Sequence, residues 1–139
     1  MLDHGENVAL VALAETVINE VLNHVKKTKQ STLEEILAKN FLVDTGIVTN
    51  RKSNKSVRTR DHKLQILFRV ELQLNLTCPI LIEKNRKEML DHLRKITIWD
   101  SQNEMLTFLQ EIVTPFYIGQ CLRTNMVLNY ELYIFFILW

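Results

Sequence analysis

Only three glycines (Gly5, Gly46, Gly119) and two prolines (Pro79, Pro115) punctuate the 139 residues, and that scarcity constrains the fold more than any other feature. Sheet-rich domains need these residues in numbers for their turns and bulges. Long stretches without them, carrying apolar residues at helical spacing, favour helices. The chain is 47% hydrophobic and 24% charged, which is enough apolar side chain for one packed domain and too little length for two. The expected class is therefore all-α.

From Val8 to Val25, apolar residues recur at Leu10, Ala14, Val17, Ile18, Val21 and Val25. This is the spacing of one helix face, with Glu15, Asn19, Asn23 and Lys26 opposite. Ser31-Thr-Leu-Glu34 reads as a capping box that opens a second helix, which carries Leu33, Ile36 and Leu37 inward and fades near Asn40. Val43 to Ser56 reads as a loop around Gly46. The segment Leu64–Leu76 is ambiguous, because its second half alternates apolar and polar at the period of a strand. Its good helix formers and its i,i+4 apolar rows decide for a helix, and one apolar over so wide an arc belongs at the centre.

Pro79 should end that helix. A fourth then runs from about Ile82 to Ile96, with Met89, Leu90, Leu93 and Ile96 inward and Glu83/Lys87 and Asp91/Lys95 as i,i+4 pairs outside. A fifth starts at a second capping box, Ser101-Gln-Asn-Glu104, buries Met105, Phe108, Leu109 and Ile112, and should stop at Pro115. The expected architecture is an irregular bundle of about five helices in residues 1–116.

After Pro115 the character changes. Residues 117–139 hold two of the 33 charged side chains, Arg123 and Glu131, while seven of the eleven aromatics fall in the last 24 positions. A helix spanning a bilayer needs about 20 apolar residues, and the apolar stretch 126–139 is shorter and interrupted by Asn129 and Glu131. The expectation is a separate aromatic-rich tail, interfacial or aggregation-prone, with no membrane span.

Chemistry is sparse. Three scattered glycines cannot build a phosphate-cradling loop. His4, His24, His62 and His92 stand at no metal-ligand spacing to one another or to Cys78 and Cys121. Asp91 and His92, adjacent on a helix, point about 100° apart, and Ser31 and Ser101 read as caps. The expectation is a chain that is not an enzyme and has no cofactor, no metal and no small-molecule substrate. Two cysteines without a CxxC pair, and no secretory signal at the N-terminus, suggest a reducing, intracellular setting.

Charge is uneven. Arg51 to Lys63 holds six basic residues against Asp61, a net +5 within a chain of net +1. Such a run serves a solvated loop, an acidic protein partner or nucleic acid. No aromatic is interleaved for base stacking.

The stretch His62-Lys-Leu-Gln-Ile-Leu-Phe-Arg-Val-Glu-Leu-Gln-Leu-Asn-Leu-Thr-Cys-Pro79 resembles the central helical domain of the treslin family of replication-initiation factors. Leu64, Gln65, Phe68, Arg69, Glu71, Cys78 and Pro79 stand in places that match that family's signature stretch, with Phe68 in place of a leucine. Residues 90–96 and 105–112 resemble the helices that follow. The resemblance covers about Thr59–Pro115 and implies a nuclear, non-catalytic adaptor that helps bring a helicase cofactor protein onto the loaded MCM ring. It also implies an incomplete domain, because the family continues with further helices where this chain has its aromatic tail, leaving Phe108 and Ile112 short of partners. Arg58, Arg60 and Lys63, with Arg86, Lys87 and Arg94, are the candidate partner-binding residues. The alternatives are a DNA contact through the basic 51–63 loop, or a truncated product without independent function.

Overall fold

The computed structural model describes residues 4–51, 54–99 and 102–123, and these form helices joined by short links, with no strand among them. The helices are α1 (His4–Thr28), α2 (Leu33–Asn40), the single turn α3 (Thr45–Thr49), α4 (Lys55–Asn75), α5 (Pro79–Trp99), α6 (Gln102–Phe108) and α7 (Thr114–Arg123). A π-helical turn, Leu109–Val113, joins the last two. The all-α, five-helix bundle is present, with α3 as an added turn.

Helix α4 is the axis of the molecule. Asn54 caps its start by accepting from the Val57 amide at 2.9 Å, an N-cap contribution of about 1 kcal/mol. It packs antiparallel against α5 and also touches α1, α2, α3 and α7. The main core unites Leu10, Ala14 and Ile18 of α1 with Ile66, Leu67 and Val70 of α4. Met89, Leu93 and Ile96 of α5 join it, together with Phe108, Ile112, Phe116 and Tyr117 of the last helices. A smaller cluster joins Val21 to Leu33, Leu37 and Leu72. Helix α1 packs against α4, α2 and the π-helical turn. Over Gly5–Thr28 it is, among the described residues, the one helix long and apolar enough to cross a membrane by length and composition, and its buried stripe of Leu10, Ala14, Ile18 and Val21 faces the bundle.

Several boundaries differ from the sequence reading, each for a local reason. The N-cap of α2 is Thr32, whose hydroxyl accepts from the Glu35 amide at 3.2 Å while the Glu35 carboxylate takes the same hydroxyl at 3.3 Å. The capping pair is thus one residue later than Ser31/Glu34. The expected loop 43–56 contains α3 and the first residues of α4. Helix α4 ends at Asn75, because Leu76 turns extended, and Pro79 opens α5, a first-turn position where a missing N–H removes no bond. On the outer side of α5, Asp91 meets Arg94 at 3.5 Å, one position short of Lys95.

Pro115 does not stop the last helix. The backbone switches to wider π-helical bonding, with the Thr114 N–H on the Leu109 carbonyl. The proline then falls in the first turn of a new α-helical register, where its lost donor matters little. The helix runs through the expected 116/117 boundary to Arg123, placing Tyr117 and Gln120 in the interior. Phe108 and Ile112, expected to be short of partners, are buried in the main cluster. Ser101 and residues 124–139, which include most of the expected tail, lie outside the described residues.

Candidate functional site

The unusual feature of α4 is that it is buried on nearly every side, polar residues included. His62, Gln65, Arg69 and Gln73, spaced by three or four, form one face, and all four are buried. Buried polar groups need partners, and this face finds them on α5 and on the extended link between α2 and α3. Gln65 clasps that link with both ends of its amide: its Nε2 donates to the Phe41 carbonyl and its Oε1 accepts from the Val43 amide, each at 2.8 Å. The Val43 carbonyl accepts from His92 Nε2 at 3.2 Å and from Arg69 Nη2 at 3.4 Å. From α5, Asn85 Nδ2 donates to the Arg69 carbonyl at 2.9 Å and to Gln73 Oε1 at 2.8 Å.

At one end of this seam His62 and His92 meet, Nδ1 to Nδ1, at 2.7 Å. The Val43 carbonyl can only accept, so the proton of neutral His92 sits on Nε2 and its Nδ1 is the acceptor. The His62 Nδ1–H is then the donor. Burial pushes the pKa of His62 down to about 4, aided by Lys95, Arg51 and Arg58. Burial, then His62 and Arg69, push His92 down to about 3, against the bond to Val43. Both rings are neutral at physiological pH. They are the nearest thing to a pair of metal ligands, but cations surround them, and among the described residues no three His, Cys, Asp or Glu converge.

Beside the seam, α2, α3, α4 and α5 enclose an open cleft of about 550 Å³ lined by Leu42, Ile47, Leu72, Leu76 and Leu81 among others. Its floor holds Arg69, whose side chain is 6% exposed. Burial lowers the Arg69 pKa, with Glu88 and Asp44 opposing that shift. The guanidinium is loosely held. Its terminal nitrogens reach Asn85 Oδ1 and the Val43 carbonyl at 3.4 Å and Asp44 Oδ1 at 3.7 Å, and Nε has no hydrogen-bond partner.

The residues singled out from sequence separate into three groups. Lys63 is 1% exposed; its ammonium donates to Asn7 Oδ1 at 3.3 Å and lies 5.1 Å from the centre of the Phe108 ring. It is a core residue and leaves the partner-binding set, because the helix it belongs to begins at Lys55 and turns that position inward. Arg58 is half-buried beside His62 and Arg60 is exposed, both in the first turns of α4. Arg86, Lys87 and Arg94 are brought together on the outer side of α5, around a shallow depression of about 790 Å³ with Ile80, Glu83, Lys84 and Leu90. The basic 51–63 run is therefore divided: Arg51 bonds Asp61 at 3.2 Å, Lys63 is interior, and residues 52 and 53 lie outside the described residues.

Sequence reasoning missed Gln65, Arg69, Gln73 and Asn85 as a unit. The available signal was the strand-like alternation of polar and apolar residues in Leu64–Leu76, which on a helix places polar groups all round and so requires a buried polar interface.

Compared with known proteins, the chain matches no family model, no curated protein and no solved structure.

Proposed function

We propose that this chain is a non-catalytic adaptor that docks an acidic protein partner on the outer face of α5. One observation carries the reading. Lys84, Arg86, Lys87 and Arg94 share that face with two acids, Glu83 in the depression and Asp91 bonded to Arg94 at 3.5 Å, and beside them Ile80 stands 78% exposed. A large apolar side chain held in water within a basic stripe suits a partner that supplies both an apolar contact and carboxylates. The resemblance of His62–Pro79 to the treslin family supplies the partner class: a helicase cofactor protein brought to the MCM ring in the nucleus. Arg58 and Arg60, at the N-terminal end of α4, extend the same proposal as secondary contacts.

The test is a pull-down of the full chain with the replicative helicase cofactor, for the native sequence and for Lys87→Glu combined with Arg94→Glu. Both residues are exposed, so the fold should survive, which thermal unfolding checks. The expected result is at least tenfold weaker capture with native stability. Capture equal to native removes this face from the interface. The Arg58→Glu, Arg60→Glu pair should weaken capture less.

A further inference from the structure

We propose that the cleft between α2, α3, α4 and α5 is a second docking site, for a partner peptide segment that carries one carboxylate among aliphatic side chains, with the carboxylate received by Arg69. The cleft shares only Lys84 with the adaptor face of α5, and the inference does not depend on that reading.

The walls define the aliphatic part. Leu42, Leu72, Leu76 and Leu81 line the cleft, and Ile47 and Leu81 stand exposed at its rims. Its volume of about 550 Å³ holds a few side chains, and its open rims leave a peptide backbone free to pass. The floor defines the charged part. Arg69 is more than nine-tenths buried, yet its contacts of 3.4 to 3.7 Å exceed the roughly 2.7–2.9 Å of a charge-assisted bond. A planar guanidinium held this loosely can accept a carboxylate through two parallel bonds. The rim carries Glu34, Asp44 and Glu88 against Arg51 and Lys84, and Glu88 and Asp44 both act on Arg69, so an incoming carboxylate reaches the floor only by competing with them.

Asp44 already plays the part of that carboxylate. It occupies the N-cap position of α3 in extended conformation, but its side chain makes no capping bond. Its carboxylate instead stands 3.7 Å from Arg69 while remaining 72% exposed. An incoming carboxylate that takes Arg69 releases Asp44 to cap α3, where Asp is among the preferred residues. The exchange replaces a long contact with a short one and adds a cap.

The test is NMR titration of the full chain, reading the Arg69 Nε–H signal and the methyls of Ile47, Leu72 and Leu81. Four probes are used: the blocked peptide acetyl-Ala-Leu-Glu-Leu-Leu-Ala-amide, its counterpart with glutamine for glutamate, hexanoate, and hexanamide. The expected result is that the glutamate peptide shifts all four signals and binds at least tenfold tighter than its glutamine counterpart and than hexanoate. Asp44→Asn, which keeps a capping side chain but removes one of the two competing charges, Glu88 being the other, should tighten the glutamate peptide at least threefold, and Arg69→Gln should abolish the difference between the two peptides. Equal binding of the peptides, or Asp44→Asn without effect, overturns the proposal. Hexanoate binding as tightly as the peptide makes the cleft a small-carboxylate site and overturns the peptide occupant.

Discussion

Helix α4 has two flanks built on different physics. The flank towards α1 and the 102–123 helix is mostly apolar, with Ile66, Leu67 and Val70 against Ile18, Phe108 and Tyr117 and with Lys63 and Glu71 as its polar exceptions. The flank towards α5 and the α2–α3 link is a hydrogen-bonded seam of His62, Gln65, Arg69 and Gln73. Apolar contact is non-directional and scales with area, so the first flank supplies cohesion without dictating which residue meets which. Hydrogen bonds are directional and costly to leave unmade, so the second fixes the position of Phe41–Val43 and the register of α5. The bundle is held by one side and aligned by the other.

The largest effect should come from the cohesive flank. Phe108 is fully buried and beneath the Lys63 ammonium. Phe108→Ala should destabilise the chain by about 3–5 kcal/mol, the range for deleting a buried aromatic ring, measured by urea unfolding. A loss below about 1 kcal/mol would mean that the 102–123 helix is not packed as described, and the contrast between the flanks would fall with it.

Acid should attack the seam next. The two histidines are held neutral in the folded state, down to about 4 and about 3, whereas in the unfolded chain each protonates near 6.5. Above pH 6.5 both states are neutral, and the seam's full stability is present. As pH falls below 6.5 the unfolded state takes up protons that the folded state does not, so stability falls by about 1.4 kcal/mol per pH unit for each histidine, or about 2–3 for the pair. The second proton is the more disruptive, because two Nδ1 atoms 2.7 Å apart cannot both carry hydrogen. Urea midpoints measured from pH 7.5 to 5 should be level above about 6.5 and fall steeply below it. A profile that stays level to pH 5 removes the neutral, buried pair.

The same contrast explains what the sequence made legible. Apolar spacing identified every long helix and nearly all of the main core, including Leu10, Ala14, Ile18, Met89, Leu93 and Phe108, because period alone reports a face that avoids water. It also identified α4 as central. It could not identify the seam, since a glutamine facing a buried backbone carbonyl and one facing solvent look alike in a single sequence; only the three-dimensional return of α5 and the link supplies the partners. Lys63 was misplaced for the same reason: a charged residue reads as exposed until Asn7 and Phe108, 56 and 45 positions away in the chain, are brought to it. Proline's habit of breaking helices predicts stops at both positions; here one opens α5 and the other is passed by a π-turn, and both outcomes depend on neighbouring backbone rather than on proline itself.

The smallest effect sharpens the comparison most. Asn85→Ala removes the donors to Gln73 Oε1 and to the Arg69 carbonyl, and the acceptor for Arg69 Nη1. Stranding such groups costs about 1–3 kcal/mol, less than the Phe108 truncation despite the greater number of named contacts. Replacing both members of one pair, Asn85→Leu with Gln73→Leu, should recover the part of that loss that belongs to the Gln73 amide, because no polar group of that pair is then left stranded, while the Arg69 groups remain so. The recovered stability should not restore order. Amide exchange in Phe41–Val43 should remain faster than in the native chain, because Arg69 loses its Asn85 acceptor and no longer holds the Val43 carbonyl in place. If the double substitution restores slow exchange as well as stability, alignment comes from apolar packing after all, and the two flanks do the same work.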